Sequence, residues 1–451
     1  MKDLAALRLI YGRMYIALQI SAMDPTVDLE QAVQMAQERA EEQVDAWRQT
    51  KAKPKERFAI EPPLSPSEIA ARKHVLRVYI MPPPADDIRS FRRRIEPFLE
   101  KHANWDVQFW LQRQSANAVS LLERNLPFFP AANDVMTVNA FDELPLSFSE
   151  NDFYQITTKH FRWRGQLPGI PVAFRPSVLM YDSHVLQQLD EPFPNPSWTM
   201  EDVLDAAERI ATHYPLKTAY APHDGYEVSF LLEQEGIRLF TPALQPEFTN
   251  PRVIEELKRL RQIQRGRAII QPFADSILTF SLLNQPSTPD MNAIALTPRA
   301  GAVWPMAVFY TAATRQSQHP DMAWEWAAFT ARHPDIVASN ALPALKSLAE
   351  DEATRARLGP ERYDAYMTML ERVPPRSLTD ADILKGAALW WFDQALRLVG
   401  PDTDLRAALA PAQDKAQAFL TCTGPQISDL DHLTACARQV DPDHPLASQA
   451  P

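Results

Sequence analysis

Two cysteines, Cys422 and Cys436, hold all the thiol chemistry of the chain, and both lie near its C-terminus. Their separation is far from the CxxC spacing of redox or zinc sites. Two readings stay open: a disulfide in an exported protein, or two unrelated thiols. Closing so short a loop would contribute roughly 3 kcal/mol. Other reactive constellations are missing. The sequence contains no GxSxG, no HExxH and no clustered Cys/His set. Glycine is scarce, 11 in 451 residues, and neither GxGxxG nor a P-loop occurs. Loops that cradle phosphates need glycine for positive φ and close backbone approach, so nucleotide chemistry is not expected. The 57 acidic residues are numerous enough to supply a glycosidase pair, but any acidic chain offers as much. No catalysis and no cofactor is expected. The net charge of −11 argues against a nucleic-acid partner, and Arg92-Arg93-Arg94, with acids nearby, reads as a solvated helix face.

Positioning even a binding site requires elements, and 451 residues, 45% hydrophobic and 23% charged, leave room for two or three soluble domains. From residue 75 the chain reads as strand (75–81), helix (85–102), strand (104–111), helix ("SANAVSLLERN") and strand (133–140). Such alternation predicts a parallel sheet with crossover helices. Later segments are mostly helical: 198–214, 251–266, 321–333 and a long finish over 350–420, with short apolar runs at 276–283 and 292–297. Thr199 caps the helix begun at Met200, with Asp202 as its N3 acid. The expected fold class is α/β, with two lobes between which the chain crosses more than once.

The stretch "GQLPGIPVAFRPSVLMYDSHVLQQLDEPFPNPSWTMEDVLDAAERI" sharpens this expectation. Gly165, Gly169, Ile170 and Pro171, then Tyr181-Asp182, then Pro196, Trp198, Glu201 and Asp202 follow one another in order. Over residues 73–420 the chain resembles the extracellular solute-binding proteins of ABC importers, in the sugar- and oligosaccharide-binding family related to maltodextrin-binding proteins. The resemblance implies a two-lobed periplasmic-binding-protein-like fold of type II, with extra N-terminal helices here. The first lobe would take about 73–172 plus 290–335, and the second about 180–288 plus 340–420. It also implies a small solute, a sugar or oligosaccharide, held in the cleft between the lobes, ABC permease subunits as partners, and an extracytoplasmic, membrane-associated location. Two departures stand out: "AGAVWPM" replaces the family's G-G-W stretch, and "MPPP" follows the first strand.

The family pattern also supplies ligand-binding candidates. Trp390 and Trp391 fall where a sugar-stacking aromatic is common, although adjacent residues on a helix cannot both face one way. Trp304 falls where the chain returns to the first lobe. Asn139, Phe141 and Asp142 follow the third strand, where open α/β sheets bind ligands. Phe174 and Arg175 fall in the first hinge, and His223, Asp224 and Tyr226 in a loop of the second lobe. Core packing is the alternative for the tryptophans, and turn or capping roles for the polar residues.

Residues 25–44, "PTVDLEQAVQMAQERAEEQV", align without a gap on 401–420, "PDTDLRAALAPAQDKAQAFL". Pro25/Pro401, Asp28/Asp404, Leu29/Leu405, Ala32/Ala408, Ala36/Ala412, Gln37/Gln413 and Ala40/Ala416 are identical. Residues 1–48 therefore read as the helical tail of an upstream copy, 49–72 as a charged, proline-rich linker, and 421–451 as a C-terminal tail. The start of the chain is not read as a signal peptide, because Arg8 and Arg13 interrupt its apolar run. No segment is apolar enough to span a bilayer. The other functional reading is a degenerate module, its cleft filled by its own side chains, serving as scaffold or sensor in a larger surface protein.

Overall fold

Strands β4 (Ile170–Pro176) and β9 (Met306–Ala313) are buried at every residue, which a strand tolerates only at the centre of a sheet covered on both faces. Each sequence is accordingly mostly apolar rather than alternating, interrupted by Arg175 in β4 and Thr311 in β9. The computed structural model describes residues 74–80, 88–109, 116–124, 148–159, 162–167, 169–213, 218–222, 224–264, 269, 276–280, 291–300, 304, 306–338, 340–400 and 402–447. The chain divides into compact units Met1–Pro63 and Leu64–Pro451, and the first lies wholly outside the described residues. So do the matched repeat at 25–44, the linker and the strand expected at 133–140.

The first sheet has six strands in the order β10-β4-β9-β3-β1-β2. Here β1 is His74–Ile80, β2 Trp105–Phe109, β3 Ala118–Arg124 and β10 Leu342–Pro343. Helix α1 (Ile88–Lys101) makes the crossover between β1 and β2, which run parallel. The segment "SANAVSLLERN", expected to be helical, contains β3 instead. Its backbone pairs parallel with β1 and, over seven residues from Ala118↔Ala313 to Arg124↔Ala307, antiparallel with β9. A ladder on both sides outweighs a local helical pattern. In β4 the register with β9 shifts between Pro171 and Ala173, at the proline that cannot donate to the ladder. Short helix α2 (Gln155–Lys159) packs near β4.

After β4 the chain crosses to a second, four-stranded sheet, β6-β7-β5-β8. It comprises β5 (Leu179–Asp182), β6 (Thr218–Tyr220), β7 (Ser276–Phe280) and β8 (Met291–Ile294), with helices α3 (Ser183–Gln188), α4 (Met200–His213), α5 (Gly225–Gln234) and α6 (Pro251–Ile263). The α4 start forms its capping box: Thr199 N–H donates to Asp202 Oδ2 at 2.7 Å, and Asp202 N–H to Thr199 Oγ1 at 3.4 Å. The chain returns through 295–305 to β9, and α7 (Pro320–Arg332) covers the first sheet with Trp324 and Trp326 buried. It then leaves again through β10 and helices α8 (Lys346–Ala349), α9 (Glu352–Leu358) and α10 (Pro360–Arg372). Helix α10 touches β8 of one sheet and β4 of the other, so it lies at the boundary between lobes. The chain ends in α11 (Asp380–Leu398), α12 (Leu405–Thr423) and α13 (Leu430–Val440). Cys422 and Cys436 are joined, binding α12 to α13.

Candidate functional site

Three chain crossings join the lobes, and side-chain hydrogen bonds tie them to one another. At the first crossing, Phe174 is fully buried against Tyr154, ring centroids 5.7 Å apart. Arg175 is also buried, its guanidinium carbon 5.2 Å from the Phe309 ring centre. Neither side chain is exposed. At the second crossing Trp304 is 4% exposed. Its indole N–H donates to the carbonyl of Ser177 at 2.8 Å, and its ring meets Phe230 edge-on at 5.0 Å. A buried carbonyl must be paired, so this bond fixes the second crossing against the first.

Arg372, at the end of α10, adds a third strand to the joint. Its guanidinium NH1 reaches three carbonyls, those of Pro196 (3.1 Å), Ala295 (3.2 Å) and Leu296 (2.7 Å). Gln234 of α5 accepts from the Arg299 amide at 2.9 Å, also within the second crossing.

The third crossing runs past a tight turn of the first lobe. Leu378 N–H donates to the Arg162 carbonyl at 3.1 Å, and Trp163 and Gln166 exchange backbone bonds across Arg164-Gly165. Arg164 adopts φ 52 and Gly165 φ 82, the left-handed pair that a two-residue hairpin requires. For arginine that conformation is strained, and side-chain contacts compensate. The Arg164 guanidinium lies 4.5 Å above the Trp163 ring and bonds Asp380 Oδ2 at 2.6 Å. Asp380 also accepts from Trp163 Nε1 at 2.8 Å and from the Ile427 amide at 3.0 Å. Burial pushes the Asp380 pKa up, but these bonds and the Arg164 charge outweigh it and hold the carboxyl below its ordinary range. Sequence reading missed this cluster, since Arg164 and Asp380 are 216 positions apart. The Thr379–Asp382 capping box marks the helix start but not its partner.

The remaining candidates fall elsewhere. Asp224 is the N-cap of α5 and accepts from Glu227 N–H at 2.9 Å, and Tyr226 is half-buried in the first turn. Gly225 N–H donates to Asp393 at 2.7 Å, and a Cβ there would lie 2.5 Å from the Asp393 Cα, so α5 and α11 can approach this closely only at glycine. Trp391 is 3% exposed and its N–H donates to Asp441 at 3.0 Å. Trp390, half-buried, lies 4.9 Å from the His444 ring. Both tryptophans thus hold the segment after α13. His223, Asn139, Phe141 and Asp142 lie outside the described residues, as do 81–87, 110–115 and 281–290, which follow β1, β2 and β7. Among the described residues no cluster of His, Cys, Asp and Glu is placed to hold a metal ion.

One acid pair in the second lobe titrates in an unusual range. Burial and a hydrogen bond with Glu201 push Glu235 up to about 8. Glu201 is lowered, chiefly by that same bond, and Arg259 pairs with Glu201 at 3.1 Å. A carboxyl raised on folding contributes stability that is complete below its unfolded pKa of 4.5 and is lost as pH rises through about 8. Glu201 has the opposite sign, its contribution being lost only as pH falls below 4.5. Between about pH 5 and about pH 9 Glu201 therefore does not offset the Glu235 effect, and the Glu235→Gln variant isolates it from the other groups. The urea midpoint of the wild type should fall across that window more than the midpoint of Glu235→Gln. Parallel midpoints for the two proteins would show that Glu235 titrates normally.

No protein-family model matches the chain, and no curated protein matches it. Solved structures do resemble it in fold. An ABC substrate-binding protein from Listeria monocytogenes, in complex with cycloalternan, superposes with a TM-score of 0.60 at 14% identity, covering 77% of this chain and 99% of its own. UgpB from Mycobacterium tuberculosis, in complex with glycerophosphocholine, gives 0.60 at 14% identity, over 77% of this chain and 98% of its own. An ABC transporter solute-binding protein from Agrobacterium vitis, with bound D-mannitol, gives 0.56 at 14% identity, over 78% of this chain and all of its own. The chain has the two-lobed periplasmic-binding-protein-like fold.

Proposed function

We propose that this chain is the extracytoplasmic substrate-binding component of an ABC importer, closing its lobes on a carbohydrate or related polyol. The observation that carries the reading is a hinge of three crossings, cross-tied at Trp304–Ser177 and Arg372, in a fold whose solved examples hold sugars, polyols or a glycerol phosphodiester. Permease subunits would be the second partner. A disulfide persists in oxidising compartments, and the Cys422–Cys436 bond supports a location outside the cytoplasm. Among the described residues no helix is long and apolar enough to cross a membrane. The tandem arrangement belongs to the same proposal: Asp404 caps α12, and Asp28 is its match within the stretch 25–44.

The second reading, a degenerate module serving as scaffold or sensor, draws support from Trp304 and Trp391, whose indole N–H groups are both engaged internally. Thermal unfolding of the full chain against monosaccharides, oligosaccharides, polyols and amino acids separates the two. A bound solute at a hundred times its dissociation constant should stabilise by about 2.7 kcal/mol. Silence across the panel from folded protein would sink the transport reading in favour of the module.

A further inference from the structure

The Asp380 carboxylate stands where three segments distant in sequence meet. The first-lobe turn supplies Trp163 Nε1 and the Arg164 guanidinium, the second lobe supplies Asp380 itself at the start of α11, and the loop between α12 and α13 supplies the Ile427 amide. Arg164 closes the triangle by donating a second bond to the Ile427 carbonyl. Ile427 is 2% exposed. Its loop is closed at the base by the Cys422–Cys436 bond, with Cα atoms 5.8 Å apart across a separation of 14 residues. The loop is thus a covalently closed ring presenting the N–H and C=O of one residue, Ile427, to a charged pair that spans the lobes.

The location decides what such a cluster can do. Leu378 pairs with Arg162 immediately before α11 begins, so the third crossing touches the first-lobe turn at this point. A contact beside the axis of a hinge movement keeps its geometry while the lobes turn, whereas a contact at the rim must break. We propose that Asp380 is the pivot residue of the interlobe hinge, and that the C-terminal disulfide ring stiffens the pivot so that its redox state sets the range of interlobe movement. The proposal concerns the movement on which the transport reading rests, but it needs no ligand.

The disulfide can be reached from solvent. Cys422 is partly exposed and lines a surface recess with Asp414, Gln417, Ala418, Thr421 and Gln439, whereas Cys436 is 1% exposed. The thiolate of a dithiol reductant would attack the Cys422 sulfur, form a mixed disulfide and release Cys436 as a thiolate, which takes up a proton. The second reductant thiol then closes the reductant's own disulfide and releases Cys422. Two electrons and two protons pass to the protein. The ring opens, and Ile427 is held by its hydrogen bonds and local packing alone.

Hydrogen exchange on the full, ligand-free chain tests the pivot at amides on the far side of Asp380 from the disulfide. Reduction should speed exchange at Leu378 and Gln166 roughly tenfold to a hundredfold, the consequence of loosening charge-assisted bonds. Oxidised Asp380→Asn should show the same acceleration, and reducing that variant should add nothing at Leu378. Spin labels carried on unnatural amino acids at exposed Glu96 and Arg252, one in each lobe, should give a broader distance distribution in both cases. A bond of purely local importance would leave that distribution unchanged. Acceleration confined to residues 424–440, or an unmoved interlobe distribution, would overturn the proposal. Were Asp380→Asn not to fold, reduction of the wild type alone would decide. A silent sugar panel beside a positive exchange result would remove the transport reading and leave the pivot standing.

Discussion

Alanine at position 304 should cost about 3–5 kcal/mol of folding stability, the range for deleting a buried tryptophan. Two losses combine at this site. The cavity left by an indole that is 4% exposed opens against Phe230, and the Ser177 carbonyl, in a residue with no exposed surface, loses its 2.8 Å donor. An unsatisfied buried carbonyl adds about 1–3 kcal/mol of its own, partly contained in that total. Trp304→Phe separates the terms, because it keeps a ring facing Phe230 and removes only the N–H and the second ring. That variant should lose roughly a third to a half as much by urea unfolding. A residue lining an open cleft would behave otherwise: its truncation would leave stability within about 0.5 kcal/mol and remove only a ligand-induced shift. A small stability loss in Trp304→Ala would therefore return the residue to the cleft and leave the first two crossings untied.

The sequence made some of this arrangement legible and hid the rest for identifiable reasons. The Pro196-Trp198-Thr199-Asp202 entry to α4 is read correctly because its interactions span three residues and depend on local capping chemistry. β3 is misread as a helix because "SANAVSLLERN" lacks breakers and β-alternation, and its structure is decided by β1 and β9, the latter almost two hundred positions away. Trp304 could be placed near a crossing, yet nothing near it announces that Ser177, 127 positions earlier, takes its indole N–H. Asp380 is harder still. An acid at the start of a helix is so ordinary a cap or dipole partner that its type carries no sign of Trp163, Arg164 and Ile427 converging on it. For Trp390-Trp391 the geometric expectation that one must face inward agrees with Trp391 at 3% exposure. What occupies the space beside that pair, His444, belongs to a tail that sequence patterns leave unassigned.

Trp391→Ala should be as costly as Trp304→Ala, about 3–5 kcal/mol, but its loss should be coupled to a histidine and hence to pH. The Trp391 ring lies 4.7 Å from His444 and 5.5 Å from Phe419, and its N–H donates to Asp441, which also takes Lys415 at 2.9 Å. His444 has no exposed surface. Its Nε2 faces the Ala387 carbonyl at 3.1 Å and must donate, while its Nδ1 accepts from the Leu446 amide at 3.2 Å. The ring is therefore the neutral Nε2–H tautomer, and a second proton would displace the Leu446 bond. Burial accordingly lowers the His444 pKa to about 4, against weaker opposition from the Ala387 bond and the Asp441 charge. A base depressed on folding contributes stability that is complete above its unfolded value of 6.5 and is lost as pH falls through about 4. Removing Trp391 opens the cage, returns His444 towards its ordinary pKa and abolishes that part of the acid sensitivity. The measurement is a double-mutant cycle of Trp391→Ala and His444→Ala, followed by urea unfolding at about pH 7 and about pH 4. Coupling between the two positions should be present at the higher pH and shrink at the lower. Coupling that is equal at both values would mean that Trp391 holds the C-terminal segment by packing and by Asp441, with the charge state of His444 playing no part.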